Sequence, residues 1–152
     1  AAAAVAAGDA DAWRPFNLVL ADHQDAYILC HRGSGPRLAV TALPPGLTMV
    51  TAFEPDDPAD PRIRRYRPRF LAAPVPQPER GDWAAWQALL ADGDPGAGAD
   101  PTAALCFALP SGFGTRSGAL LALPEPHPAG PKPRWLVTIG PPDRTPWQEL
   151  AL

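Results

Sequence analysis

The sequence predicts an α+β fold, with antiparallel sheets packed with helices, and three observations carry that expectation. β-rich runs separated by short polar turns come first, two helical patterns follow, and a further pair of β-rich runs closes the chain. The 152 residues are enough for one domain with its own core, read here as a single domain over 1–152. A hydrophobic share of 46% with 19% charged residues is that of a globular chain rather than a disordered one. Twenty-two prolines and thirteen glycines point to many short elements joined by stiff loops.

Ala1 to Ala7 has high helix propensity, and Gly8-Asp9 supplies a stop. This opening has neither an initiator Met nor the basic flank of a signal peptide, and reads as the tail of a helix whose beginning is missing. Phe16–Ala21 and Ala26–His31 flank the polar Asp22–Asp25 and read as a hairpin. Both runs are apolar on successive residues, so both faces of each strand are expected to be covered. Gly33–Pro36 turns the chain into Arg37–Ala42, and Pro44–Gly46 turns it into Leu47–Phe53, giving a four-strand antiparallel meander.

An acidic loop, Glu54–Ala59, leads to Asp60-Pro61, a good helix start: Asp caps free amides and Pro tolerates the first helical position. Ile63, Tyr66 and Phe70 form the apolar face of that helix, which Pro68 can end or kink. A second helix is expected after Asp82, with Trp83, Trp86, Leu89 and Leu90 on one side. Gly93–Pro101 is a link of turn residues, and Thr102–Leu109 is ambiguous between strand and helix. Ala119–Leu123 and Arg134–Ile139 form the last strand pair, joined by the proline-rich Pro124–Pro133.

A net charge of −3 argues against a general nucleic-acid surface. No apolar run reaches the ~18 residues of a membrane span. Cys30 and Cys106 sit in apolar runs and read as free core thiols of a cytoplasmic protein. Asp22, His23, Asp25 and His31 match no zinc spacing, and His127 stands alone between prolines, so no metal site and no cofactor are expected. Arg62, Arg64, Arg65, Arg67 and Arg69 make a dense basic run that could hold an anion. It follows Glu54, Asp56, Asp57 and Asp60 directly, and local neutralisation on a solvated face accounts for it.

The segment with the most reactive-looking groups is Ser111-Gly112-Phe113-Gly114-Thr115-Arg116-Ser117-Gly118. A dinucleotide fingerprint is excluded, because the third glycine is absent and a strand follows instead of a helix. A nucleophile elbow is excluded too, since no Gly-x-Ser-x-Gly frame fits. Thr115, Arg116 and Ser117 are expected to begin a strand, with Thr115 and Ser117 on one face and Arg116 on the other. Arg116 could fork onto a carboxylate or phosphate, or make a structural ion pair.

Three stretches in order, Pro15–Asp22 with Asp25-Ala26-Tyr27, Leu43–Leu47 leading to Pro61-Arg62, and Gly112–Ser117, together resemble the NRDE family, also called the transport-and-Golgi-organisation protein family. The resemblance runs over nearly the whole chain. It implies an Ntn-hydrolase-like αββα sandwich, present here in part, with the N-terminal half of the domain missing. It also implies Arg116, Thr115, Ser117 and Asn17 as ligand-binding residues. Eukaryotic relatives are linked to haem trafficking and lipid homeostasis, which implies a possible amphipathic anionic ligand, haem or an acyl-CoA, as partner. The alternative implied is an Ntn-type amide hydrolase whose N-terminal Cys nucleophile lies in the missing segment. Two departures stand out. The Asn-Arg-Asp-Glu motif is absent, and Val50-Thr51-Ala52 stands where relatives carry Leu-Ser-Asn. Ala52 has no side-chain donor for an oxyanion, a loss that typically costs ~10²–10³ in rate.

Overall fold

The computed structural model describes residues 2–6, 13–33 and 38–151. It is mixed α+β, with two three-stranded antiparallel sheets and a few helices. Chain contacts group into two compact units, Ala1–Asp60 and Pro61–Leu152.

The first unit carries a short helix α1 (Ala2–Ala6) and strands β1 (Phe16–Ala21), β2 (Ala26–His31) and β3 (Ala39–Ala42), in spatial order β1-β2-β3. The expected Gly8-Asp9 stop, and residues 34–37 of the second turn, lie outside the described residues. The hairpin forms as its composition demands, with Ala21 opposite Ala26 and Phe16 opposite His31. Asp22 builds the turn: its Oδ1 accepts from the amides of Gln24 and Asp25, both at 2.9 Å. Those two bonds hold the Asp22 carboxyl below its usual range. The central strand is buried at Ile28, Leu29, Cys30 and His31 in succession, as a strand covered on both faces should be. Coverage does not extend to β1: Leu18 and Val19 are consecutive, so they point to opposite faces, and both are exposed.

The expected fourth strand does not form. Leu47 to Phe53 is irregular, and its backbone groups find other partners. Asp56, in a left-handed conformation (φ 57°), accepts from the Met49 amide through Oδ1 at 2.8 Å and donates its own amide to the Met49 carbonyl at 2.9 Å. The Asn17 side-chain amide donates to the carbonyls of Thr51 (2.6 Å) and Phe53 (3.1 Å). Met49, Thr51 and Phe53 thus spend these groups on side chains and a tight turn rather than on a strand ladder.

The second unit opens on helix α2 (Pro61–Ala72), which starts where Asp60-Pro61 predicts. Pro68 neither ends nor bounds it. That residue is exposed, where water can compensate for the amide it lacks. Ile63 and Tyr66 are buried, and Phe70 packs edge-on against Trp86 with ring centroids 5.2 Å apart. Trp86 belongs to α3 (Ala84–Leu90), whose cap is Trp83 rather than Asp82. Asp82 sits one residue further out, and its carboxylate accepts from the Ala84 amide at 3.3 Å.

Thr102 to Leu109 forms neither a strand nor an α-helix. A 3-10 turn over Pro101–Ala103 is capped by Asp100, which accepts from the Thr102 amide at 2.8 Å and hydroxyl at 2.6 Å. Bends then bury Ala103, Ala104 and Cys106. The second sheet runs β4 (Gly118–Ala122), β5 (Arg134–Thr138) and β6 (Gln148–Leu150), in that spatial order. β6 is an addition to the expected pair; three residues are too few to show a period. Leu120 and Thr138 are buried while Leu121 and Trp135 are exposed, so this sheet alternates. Among the described residues no helix is long and apolar enough to cross a membrane.

Candidate functional site

The glycine-rich segment folds as a closed loop held by backbone hydrogen bonds to Phe107 and Leu109. The Leu109 amide donates to the Phe113 carbonyl (2.8 Å) and the Gly112 amide to the Leu109 carbonyl (2.9 Å). Gly112 has φ 82°, which only glycine adopts readily. Gly114 bridges to Ala108, and a Cβ there would press on the Phe107 carbonyl oxygen and lie 2.8 Å from the Ala108 Cα. These two glycines shape a turn and a close backbone approach.

Thr115 fastens the loop. Its amide donates to the Phe107 carbonyl at 2.8 Å, and its hydroxyl donates to the Leu105 carbonyl at 2.9 Å while accepting from the Phe107 amide at 3.2 Å. The strand then begins at Gly118, later than expected, so Thr115 and Ser117 do not share a strand face. Thr115 is turned inward and half-buried, whereas Arg116 and Ser117 are exposed. Among the described residues neither Arg116 nor Ser117 makes a hydrogen bond or ion pair through its side chain. Arg116 is therefore not committed to the structural pairing that its residue type allows.

Asn17 belongs to the first unit and is half-buried on β1. Both of its amide bonds go to the Thr51–Phe53 backbone, and its Oδ1 is buried without a partner. A cleft of about 290 Å³ lies beside it, lined by Phe16, His31, Arg32 and Ala52 among others. His31 Nε2 is 3.1 Å from the Trp13 carbonyl oxygen, and Arg32 pairs with Glu54. Ala52 is exposed at this cleft with no polar side chain to offer.

The basic run on α2 is bound up in the second unit rather than neutralised only by the acids before it. Arg65 pairs with Asp94 at 2.6 Å and Arg69 with Asp92, both from the loop after α3. The two guanidiniums lie 5.6 and 4.9 Å from the Tyr66 ring centroid. Arg62 donates to the Thr102 carbonyl at 2.6 Å and sits 5.0 Å over the Phe107 ring. Tyr66 completes the arrangement, its hydroxyl donating to the Asp94 carbonyl at 3.1 Å.

Cys30 and Cys106 are both buried and free of disulfides. The Cys106 thiol lies 3.3 Å from Asp143 Oδ1, beside a cleft of about 260 Å³. Burial pushes this thiol up and the neighbouring carboxylate adds to the rise, which suppresses the nucleophilic thiolate. Among the described residues, no group of three His, Cys, Asp or Glu side chains gathers as a metal site would.

A cleft of about 700 Å³ lies at one end of the second sheet, where the sequence pattern marks no site. Arg134 is one of its lining residues. The guanidinium grips Glu149 in a two-pronged pair (2.6 and 2.7 Å) and also donates to the Pro78 carbonyl. Glu149 raises the Arg134 pKa and is itself held below the usual carboxylate range by Arg134. The one available sequence signal is an Arg and a Glu in two adjacent strands, and β6 is too short to be recognised as a strand. Comparison of the chain with protein-family models, with characterised proteins and with solved structures finds no match.

Proposed function

We propose that this chain is an NRDE-family protein that binds an amphipathic anionic ligand such as haem or an acyl-CoA through Arg116. Its mixed α+β fold would be a partial Ntn-hydrolase-like αββα sandwich. The observation that carries the reading is the exposed Arg116 guanidinium with no partner among the described residues, on a backbone anchored by the neighbouring Thr115. A forked cation held this way can grip a carboxylate or phosphate without first giving up an internal ion pair. Ser117, exposed and next in the chain, offers a hydroxyl to the same ligand. Thr115 contributes by position, since its hydroxyl is occupied internally. Asn17 holds the Thr51–Phe53 segment in the first unit.

Titration of the purified chain with haemin, followed in the Soret band, and with a long-chain acyl-CoA, followed by calorimetry, tests this. Saturable binding to one of them is expected, weakened about tenfold in Arg116→Gln for loss of one charge-assisted contact. Binding to neither, or an Arg116→Gln variant that binds as the parent does, overturns it.

A further inference from the structure

The cleft at the end of the second sheet has a charge arrangement that selects a different kind of ligand. Four charged side chains line it: Glu79, Lys132, Arg134 and Glu149. Arg134 and Glu149 are spent on each other, with the guanidinium's remaining reach going to the Pro78 carbonyl. Their charges cancel, and the pair acts as a rigid base. Lys132 and Glu79 are exposed, and among the described residues neither makes a hydrogen bond or ion pair. Glu79 does no more than add to the field on Arg134. One ammonium and one carboxylate are thus left for a ligand, opposite in sign and on different segments of the chain.

The walls between them are apolar and stiff. Pro124, Pro131 and Pro133 come from the β4–β5 connection, while Leu123 and Leu150 come from the strand ends. Proline segments have little conformational freedom to lose when a ligand arrives. A volume of about 700 Å³ is within the usual range for small-ligand sites, and apolar walls with a few placed polar groups are their usual lining. A simple anion would gain Lys132 but meet Glu79, and a simple cation the reverse. A ligand carrying both charges gains from both.

We propose that this cleft binds a compact zwitterion with an apolar body, of the size of a dipeptide, its carboxylate toward Lys132 and its ammonium toward Glu79. The assignment does not depend on Arg116 or on the ligand proposed for it. The test is titration of the ¹⁵N-labelled full chain with three probes: the dipeptide leucylphenylalanine, its N-acetyl form and its C-terminal amide. Saturable shifts in the amides of residues 122–123, 132 and 149–151 are expected with the dipeptide. Each capped form should bind about fivefold more weakly, the scale of one exposed charge pair. Lys132→Gln should weaken the dipeptide about fivefold but leave the amide's affinity unchanged. Glu79→Gln should weaken the dipeptide likewise while leaving the N-acetyl form's affinity unchanged. Both positions are exposed, so the fold is expected to persist, which the rest of the spectrum reports directly. The proposal is overturned by the absence of saturable shifts at the cleft, by a capped form binding as well as the dipeptide, or by variants that weaken all three probes alike.

Discussion

The two sheets share a topology, three antiparallel strands in chain order, yet bury their side chains in different ways. In the first, β2 is buried at four consecutive residues, Ile28 to His31, and the edge strands are open. In the second, burial alternates. Leu120 and Thr138 turn inward, while Leu121, Trp135 and Leu150 form a cross-strand row on the outside. The first sheet is anchored through its middle strand, and the second through one face. The difference is written in side-chain type: β2 runs through Ile28, Leu29 and Cys30 without a polar break before His31, whereas the second sheet places Thr138 and Arg134 among its apolar residues.

The largest effect expected from this contrast is at Leu29, which is fully buried. Leu29→Ala should cost about 2–5 kcal/mol in urea unfolding, the range for a buried leucine. A cost below about 1 kcal/mol would mean that β2 is not the anchor of its sheet. An intermediate effect is expected at Thr138, whose Oγ1 accepts from the Gly118 amide and donates to the Gly140 carbonyl, both at 2.7 Å. Thr138→Val keeps the shape and removes both bonds, and should cost about 1–3 kcal/mol by the same measurement. Stability equal to the parent would show that the inward face is held by packing alone. The smallest effect is expected at Leu121, 53% exposed in the outer row. Leu121→Ser should move stability by no more than about 0.5 kcal/mol. A loss as large as that of Leu29→Ala would erase the distinction between the sheets.

Much of this architecture was legible in the residues. The first hairpin, the start of α2, the buried Ile63 and Tyr66, and the β4–β5 pair follow from local composition and period. Two of the departures share one cause. Leu47–Phe53 has the composition of a strand, but Asn17, 34 residues from Thr51 in sequence, and Asp56 take its hydrogen-bonding groups. Thr115 likewise reads as the first residue of a strand until its bonds to Leu105 and Phe107 are known. In both places a polar side chain competes with the backbone ladder for its partners, and a linear pattern does not show which one wins. At the candidate site the residue types left Arg116 open between a ligand and a structural ion pair, and only the fold shows it exposed; the sheet-end cleft depends on Pro78, Lys132 and Glu149, which converge only in the fold.

The anchoring of Thr115 also bears on how fast a ligand could be caught. Its internal bonds hold the backbone at the root of Arg116 while the guanidinium stays in water. Among the described residues, an anion reaching that guanidinium would find no ion pair to break. The capture step would be governed by diffusion and by the screened charge of one side chain, and a bound complex would owe its lifetime to whatever the apolar part of the ligand finds next.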